Sequence, residues 1–359
     1  MAKIKFNDLK IMRRLVSGIV GLTMLLAGCA TPNQENNSRL DLIKKRNELI
    51  CGVSGKIPGF SFLERDGSYQ GLDVDICKAF AAAIIGDSER IQYRPLTAAE
   101  RFTAIKTGEV DVLSRNTTFT LSRDSFSGNG LTFAPVVFYD GQGLMVKKGN
   151  GINSLEDLAN KSICVGSGTT TEQNINDAFD SASLPYTPIK YQDLNQVVAG
   201  YLQGRCSAMT SDRSQLAAAR SGFKNPKEHI ILNDVLSKEP LAPASDGQEQ
   251  QLADAMRWIV FALISAEEQG ITKSNINEKV QLAKDNPQLK PLRRFLGIDG
   301  DLGEKVGLSN DFVVKVIRAT GNYGEIYERH LGLNSEVSIP RGLNELHKNG
   351  GIHFSPPFN

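Results

Sequence analysis

Three short polar segments each follow a predicted β-strand and could together form a ligand site. They cover residues 114–123 (SRNTTFTLSR), 166–171 (GSGTTT) and 210–212 (TSD). In open α/β sheets, ligands bind beyond the carboxyl ends of the strands, where the free N–H groups of turns and helix starts point outward. The three segments therefore predict one polar binding site.

The residue types in these segments suit a zwitterion. Arg123 offers a planar fork for a carboxylate, and Thr118, Thr169 and Thr170 offer hydroxyls and amides for the same oxygens. Asp212 offers a carboxylate for a cation, so the set complements the head of an α-amino acid. Singly, the residues have simpler explanations: Asp212 as a helix N-cap, Arg123 as a surface residue and the threonines as a turn.

Other chemistries fit the sequence less well. No Gly-Lys-Ser/Thr follows the GSGTTT segment, as a nucleotide-binding loop would require. The four histidines lie outside the three segments, and Glu172 falls in the predicted first turn of a helix, where an acidic residue is favourable anyway. Because an enzyme would need a general acid or base near Arg123, we expect no catalytic residues and no cofactor.

The composition excludes further classes. The 359 residues carry 41 Lys+Arg against 40 Asp+Glu, so no basic excess points to nucleic acid. The cysteines lack the spacing of a zinc site, and no histidine lies beside them. The 40% hydrophobic and 23% charged residues are typical of a globular protein, which we expect to be monomeric.

Alternating strand and helix patterns predict an α/β fold. Strands are expected at 49–53, 110–113, 162–165 and 207–210, and helices between them. Extended stretches at 135–146 and 230–241 lead away from the first set of elements and back to it. This order predicts two lobes with a ligand cleft between them, lobe 1 from 41–140 plus 244–359 and lobe 2 from 145–238.

The N-terminus reads as an export signal. Lys and Arg residues precede a 13-residue apolar run, Leu15 to Ala27, which is too short to span a bilayer. The run ends in Leu-Ala-Gly-Cys29, which resembles a bacterial lipobox; the alternative is an ordinary cleavage site with an incidental cysteine. We predict a lipoprotein signal peptide at 1–28, lipidation of Cys29 and a flexible tether at 29–40.

Export places the remaining four cysteines in an oxidising compartment, where disulfides form. Cys51, Cys77, Cys164 and Cys206 allow three sets of pairings. We favour Cys51–Cys77 with Cys164–Cys206, because each pair then stays within one half of the chain.

Several motifs resemble those of the extracytoplasmic solute-binding proteins of polar amino acid ABC transporters, and among them the general L-amino acid-binding subfamily. The resemblance covers nearly all of the chain after the signal. The motifs are CGVS (51–54), GLDVD (71–75), ERFTA (100–104), GEVDVLSRNTT (108–118), GTTTE (168–172), SKEPL (237–241), GNYGEIYER (321–329), PRGLN (340–344) and PPF (356–358).

The resemblance implies a type II periplasmic-binding-protein fold, with two crossing strands as the hinge. It also implies that the protein captures L-amino acids and delivers them to a membrane permease. The expected ligands are glutamate, glutamine and aspartate, together with a broader range of L-amino acids. A chemosensory amino acid-binding protein would use the same site and is an alternative. A dehydratase-like enzyme on this scaffold is a more distant one.

Residue by residue, the resemblance implies roles in a ligand site. Arg123 would hold the α-carboxylate, helped by Thr118 and the Thr169–Thr170 turn, and Asp212 would take the α-ammonium with help from the region of Asn116. Arg101 would line the distal pocket, where relatives that bind glutamate and aspartate place an arginine. The expected apolar walls are Phe60 and Phe119, although the subfamily usually has tryptophan at the latter position.

Overall fold

The computed structural model describes residues 38–359. The signal peptide, the lipidation of Cys29 and most of the tether therefore lie outside the described residues. Residues 39 and 40, which the sequence assigned to the tether, instead belong to the first helix, where Leu40 is buried. Every helix in the described range is too short or too polar to cross a membrane.

Strands and helices alternate through most of this range. The strands are β1 (Leu49–Val53), β2 (Lys56–Ile57), β3 (Ser61–Leu63), β4 (Tyr69–Gln70), β5 (Ile91–Pro95), β6 (Val112–Leu113), β7 (Leu131–Phe133), β8 (Phe138–Asp140), β9 (Gln142–Lys147), β10 (Ser162–Gly166), β11 (Thr187–Tyr191), β12 (Ala208–Asp212), β13 (His229–Ile231), β14 (Glu239–Leu241) and β15 (Ala244–Asp246). The helices are α1 (Arg39–Arg46), α2 (Leu72–Ile84), α3 (Arg101–Lys106), α4 (Leu121–Asp124), α5 (Thr170–Ser181), α6 (Leu194–Leu202), α7 (Arg213–Ser221), α8 (Gln250–Glu268), α9 (Ile276–Asp285), α10 (Lys290–Phe295), α11 (Leu302–Lys305), α12 (Phe312–Thr320) and α13 (Tyr323–His330).

Two five-stranded mixed sheets form the centres of two lobes. The sheet of lobe 1 has the order β5-β1-β6-β15-β7, and the sheet of lobe 2 has the order β11-β10-β12-β9-β13. In each, one strand pairs in parallel with two neighbours, β1 with β5 and β6, and β10 with β11 and β12. The carboxyl ends of these parallel strands carry the segments that the sequence analysis singled out.

The chain passes between the lobes twice. Strands β8 and β14 pair antiparallel to form the connection, with Glu239 opposite Asp140 and Leu241 opposite Phe138. The first strand leads into β9 of lobe 2, and the second leads back to β15 of lobe 1. The two-lobed α/β fold with a pair of crossing strands is therefore confirmed.

A glycine determines where α2 begins. Gly71 has φ 131°, and a Cβ at this position would lie 2.1 Å from the carbonyl oxygen of Phe60. Asp73 and Asp75, whose residue type is favoured at helix caps, both lie inside the first turn. The Asp73 carboxylate instead accepts hydrogen bonds from Ser114 Oγ (3.1 Å) and from the backbone N–H of Asn116 (3.2 Å).

Packing between α2, α8 and α12 forms the main core of lobe 1. The apolar stripe of α8 faces this core, with Leu252, Met256, Ile259 and Leu263 fully buried. Both disulfides form as favoured above. Cys51 on β1 joins Cys77 on α2, and Cys164 on β10 joins Cys206 just before β12, so each bond lies within one lobe.

Candidate ligand-binding site

A cavity of about 290 Å³ lies between the two lobes, at the carboxyl ends of the parallel strands. Both lobes contribute to its wall. The lining residues include Lys56, Ile57, Arg101, Arg115, Asn116 and Thr118 from lobe 1, and Thr169, Thr170, Asp193, Asp212 and Gln215 from lobe 2. The structure thus brings together residues from all three polar segments, as their positions after neighbouring strands predicted.

Arginines dominate the lobe 1 wall. Arg101 is 3% exposed, and its Nη1 lies 3.4 Å from Thr117 Oγ1, while its Nε has no partner among the described residues. Arg115 donates from Nε to the carbonyl oxygen of Leu96 at 2.8 Å. Next to it, Asn116 has a φ of 43°, and neither amide atom of its buried side chain has a partner in the described part of the chain.

Arg123 lies just behind this wall, on α4. It is buried, and its Nη1 donates to the carbonyl oxygen of Thr118 at 2.8 Å. Its guanidinium carbon is 5.2 Å from the centre of the Phe102 ring. Arg123 is not among the residues that line the cavity, so it contacts the lining through Thr118.

The three arginines form a cluster of positive charge without an ion-paired carboxylate, in which Arg101 and Arg123 are buried and Arg115 is half-buried. None of Arg101, Arg115 and Arg123 has a carboxylate oxygen within 4.0 Å in residues 38–359. Burial lowers the pKa of all three, that of Arg115 to about 10. Since an unpaired buried charge is costly, this wall favours an anionic ligand.

The lobe 2 wall offers N–H groups and one carboxylate. Thr169 caps α5 by accepting from the Glu172 N–H at 3.1 Å, and the first-turn amides of this helix, including that of Thr170, lack intrahelical partners. Asp212 occupies the N-cap position of α7, but its carboxylate makes no capping bond. It accepts from Gln215 Nε2 at 2.8 Å, and the residue is 4% exposed.

Burial raises the pKa of Asp212 well above its ordinary value. The nearby negative charges of Asp140 and Glu239 raise it further, whereas Arg101 and Arg123 lower it. An approaching cation would stabilise the ionised form of this carboxylate. The cavity therefore has a cationic side and an anionic side, one on each lobe.

Several contacts bridge the lobes around the cavity. Lys56 Nζ of β2 lies 2.8 Å from the Asp193 carboxylate, which also caps α6. The hydroxyl oxygens of Thr118 and Thr170 are 3.3 Å apart. Both hydroxyls also contact the buried carboxylate of Glu239 on β14. The lobes thus stand in a closed arrangement around the cavity.

The structure does not place the two expected aromatic walls at the cavity. Phe60 is 1% exposed and packs in the lobe 1 core, edge-on to Phe138 with ring centres 5.1 Å apart. Phe119 stacks on Phe133 at 4.6 Å and is 40% exposed. Ile57, three residues before Phe60, lines the cavity instead.

Sequence reasoning missed several charged groups of the site, among them Lys56, Asp193, Arg115 and Glu239. Arg115 lies in the first polar segment, directly after a strand, and this position was the signal that could have identified it. Glu239 lies in the SKEPL motif, which was noted only as part of the resemblance. Its burial beneath the cleft depends on contacts with both lobes, which no local pattern shows.

A family model describes the class to which the fold and site point. Residues 49–333 match the model of the bacterial extracellular solute-binding proteins, family 3. The match spans more than three quarters of the chain, and the chain belongs to this family.

Two similar relatives have amino acid-binding names. The general L-amino acid-binding periplasmic protein AapJ of Rhizobium johnstonii is 44% identical over 346 residues, 96% of this chain and 98% of the relative. The glutamate/glutamine/aspartate/asparagine-binding protein BztA of Rhodobacter capsulatus is 43% identical over 341 residues, 95% of this chain and 98% of the relative.

A solved structure also matches almost end to end. The ABC transporter periplasmic binding protein from Brucella ovis with glutathione bound is 42% identical, with a TM-score of 0.84. The match covers 90% of this chain and 99% of that one.

Proposed function

We propose that this chain is the substrate-binding component of an amino acid ABC transporter, which captures L-amino acids by lobe closure and delivers them to the permease. The observation that carries the proposal is the cavity in which unpaired arginines on lobe 1 face Asp212 on lobe 2. An α-amino acid is the small molecule whose two charges match the two sides. The names of the relatives support this reading.

Acidic and amide amino acids fit the cavity best, within a broader range. In this proposal the first-turn amides of α5 bind the α-carboxylate, with the positive charge of Arg123 behind Thr118, and Asp212 holds the α-ammonium. Arg101 and Arg115 remain for a second carboxylate or an amide oxygen on the ligand side chain, with Asn116 beside them. Three guanidinium groups, two of them on buried residues, exceed what one carboxylate neutralises, which favours glutamate and aspartate.

Closure follows from the placement of the charges on separate lobes. In an open cleft, water solvates the arginines and Asp212 separately. A closed cleft removes that water, and only a bound zwitterion replaces it on both sides. The ligand therefore binds the closed form better than the open one and shifts the population toward it.

The contacts of Glu172 favour binding over catalysis. Glu172, the acid considered for an enzyme, does not line the cavity. Its carboxylate accepts from the Gly168 N–H at 2.9 Å and pairs with Lys190 at 2.7 Å. It is therefore engaged on the surface of lobe 2, away from the position that a general base would need.

Two further parts of the proposal concern the state of the protein in the cell. We propose an extracytoplasmic monomer, periplasmic or at the cell surface, anchored to the membrane by a lipid on Cys29 and the tether that follows. Replacing Cys29 with serine, Cys29→Ser, would release the protein from the membrane fraction. Unchanged fractionation would contradict the anchor.

A thermal-shift screen tests the proposed function. A ligand that binds only the folded state raises the melting temperature. We expect the largest increase with L-glutamate, L-aspartate or their amides among the twenty amino acids, with glutathione as a further sample. No increase with any of them at millimolar concentration would contradict the proposal.

A further inference from the structure

Glu239 places a carboxylate beneath the ligand cavity, at the junction of the two lobes. The residue is 1% exposed and lies on the crossing strand β14. Its Oε2 accepts from Thr118 Oγ1 at 2.6 Å and from Thr170 Oγ1 at 2.9 Å. Its Oε1 accepts from Asn174 Nδ2 at 2.8 Å and from Ser237 Oγ at 2.6 Å.

The two bonds to Oε2 determine where the hydroxyl hydrogens of Thr118 and Thr170 point. An ionised carboxylate only accepts hydrogen bonds, and a threonine hydroxyl has a single hydrogen to donate. When Thr118 and Thr170 both donate to Oε2, neither has a hydrogen left for the cavity that both residues line. Bonds to a charged acceptor are stronger than neutral ones, so this orientation is favoured.

We propose that Glu239 is a positioning residue of the binding site, which turns the hydroxyls of Thr118 and Thr170 into acceptors for the ligand's ammonium group. The proposal rests on the proposed function and refines it. The sequence suggested that these hydroxyls bind the ligand carboxylate, but oxygen lone pairs facing the cavity repel a carboxylate. The carboxylate is left to the arginines and the first-turn amides of α5.

The same contacts make this orientation depend on closure. Thr118 belongs to lobe 1, whereas Thr170 and Asn174 belong to α5 of lobe 2. Glu239 receives all four bonds only when α5 lies against the crossing strands, as it does here. Together with Asp212, the two oriented hydroxyls provide three acceptors for an ammonium group, which has three hydrogens.

A double-mutant cycle on ligand affinity tests the proposal. We expect Glu239→Ala and Thr118→Val each to weaken L-glutamate binding about tenfold or more by calorimetry, since each removes part of a hydrogen-bonded chain to a charged group. The double variant should lose less than the product of the two single losses, because Glu239 acts through Thr118. If the double variant loses affinity by the full product of the two single losses, or if Glu239→Ala binds with unchanged affinity, the proposal is overturned.

Two control variants separate this role from general stabilisation. Ser237→Ala removes one bond to Oε1 but leaves both threonine bonds, so its affinity should stay within about threefold of the wild type. Thr118→Ser restores the hydroxyl and should recover most of the affinity that Thr118→Val loses. Melting temperatures of the ligand-free variants report the structural cost of each change.

A crystal structure of the wild-type complex with L-glutamate decides the question even if Glu239→Ala does not fold. We expect the ligand nitrogen within hydrogen-bond distance of Thr118 Oγ1 or Thr170 Oγ1. A ligand carboxylate oxygen on these hydroxyls would overturn the proposal. If the wild type binds no amino acid at all, the proposed function fails; if it binds and only the cycle fails, the role of Glu239 alone is wrong.

Discussion

Single side chains in this site combine burial with charge, and Asp73 shows the cost most clearly. Burial raises the pKa of its carboxyl to about 6, although Ser114, Asn116 and Arg115 favour the ionised form. The residue nevertheless has a function in the site, because its carboxylate orients Ser114 and the backbone of Asn116. Burial of this carboxylate lowers the stability of the fold, while its hydrogen bonds hold the cavity wall in position.

The raised pKa of Asp73 predicts a pH dependence. The carboxyl titrates near pH 6 in the folded state and near its ordinary, lower value in the unfolded state. Between about pH 4 and pH 6 the folded state therefore binds more protons than the unfolded state. The free energy of unfolding consequently falls as the pH rises through this range. Asp73→Asn removes this contribution while keeping one acceptor oxygen. In urea unfolding, the free energy of unfolding of the variant relative to that of the wild type should rise by at most about 3 kcal/mol from pH 4 to pH 7. An equal difference at both pH values would contradict this.

At this scale, position along a strand predicts which residues lie at the cavity. Thr118, Thr170 and Asp212 line the cavity, as their positions beside strand ends predict, and so does Arg101, which the resemblance suggested; their contacts with a ligand stay a prediction. The reasoning failed for Phe60, because the turn between β2 and β3 decides which neighbouring apolar side chain faces the cleft. That turn depends on packing against the lobe 1 core.

Among the elements, α6 shows how one residue can serve a helix and the cleft together. Asp193 accepts from the Gln196 N–H at 3.0 Å as the N-cap, and it pairs with Lys56 across the cavity mouth. The pair joins lobe 2 to lobe 1 without any ligand. Its exposed position limits its contribution to stability, so its main effect should be on the separation of the lobes.

Two substitutions of Asp193 separate these roles. Serine is a good N-cap but carries no charge, whereas alanine lacks both functions. We expect Asp193→Ala to lower the free energy of unfolding by about 1 kcal/mol and Asp193→Ser by a few tenths. Both should weaken L-glutamate binding to the same small extent, since both lose the pair with Lys56. Equal destabilisation by the two variants would show that the cap has no measurable effect.

The architecture of the whole molecule was largely readable from the sequence. Alternating strand and helix patterns indicated the α/β class, two extended crossings indicated two lobes, and the division into halves selected the observed disulfides. The role of the C-terminal segment was not readable. Asn344 there bonds both backbone groups of Tyr139, through Oδ1 at 2.6 Å and Nδ2 at 3.1 Å, and so holds crossing strand β8. A contact between residues 205 positions apart leaves no local signal.

Calorimetric titration with L-glutamate tests most directly whether opposite charges on the two lobes jointly bind the ligand. Arg123→Ala and Asp212→Asn should each weaken binding at least about 30-fold, roughly 2 kcal/mol, because each leaves one ligand charge buried and unpaired. The exposed Arg94→Ala and the buried Asp111→Asn, whose ion pairs lie away from the cavity, serve as matched controls and should stay within a few-fold of the wild type. Wild-type affinity in both Arg123→Ala and Asp212→Asn would contradict the account.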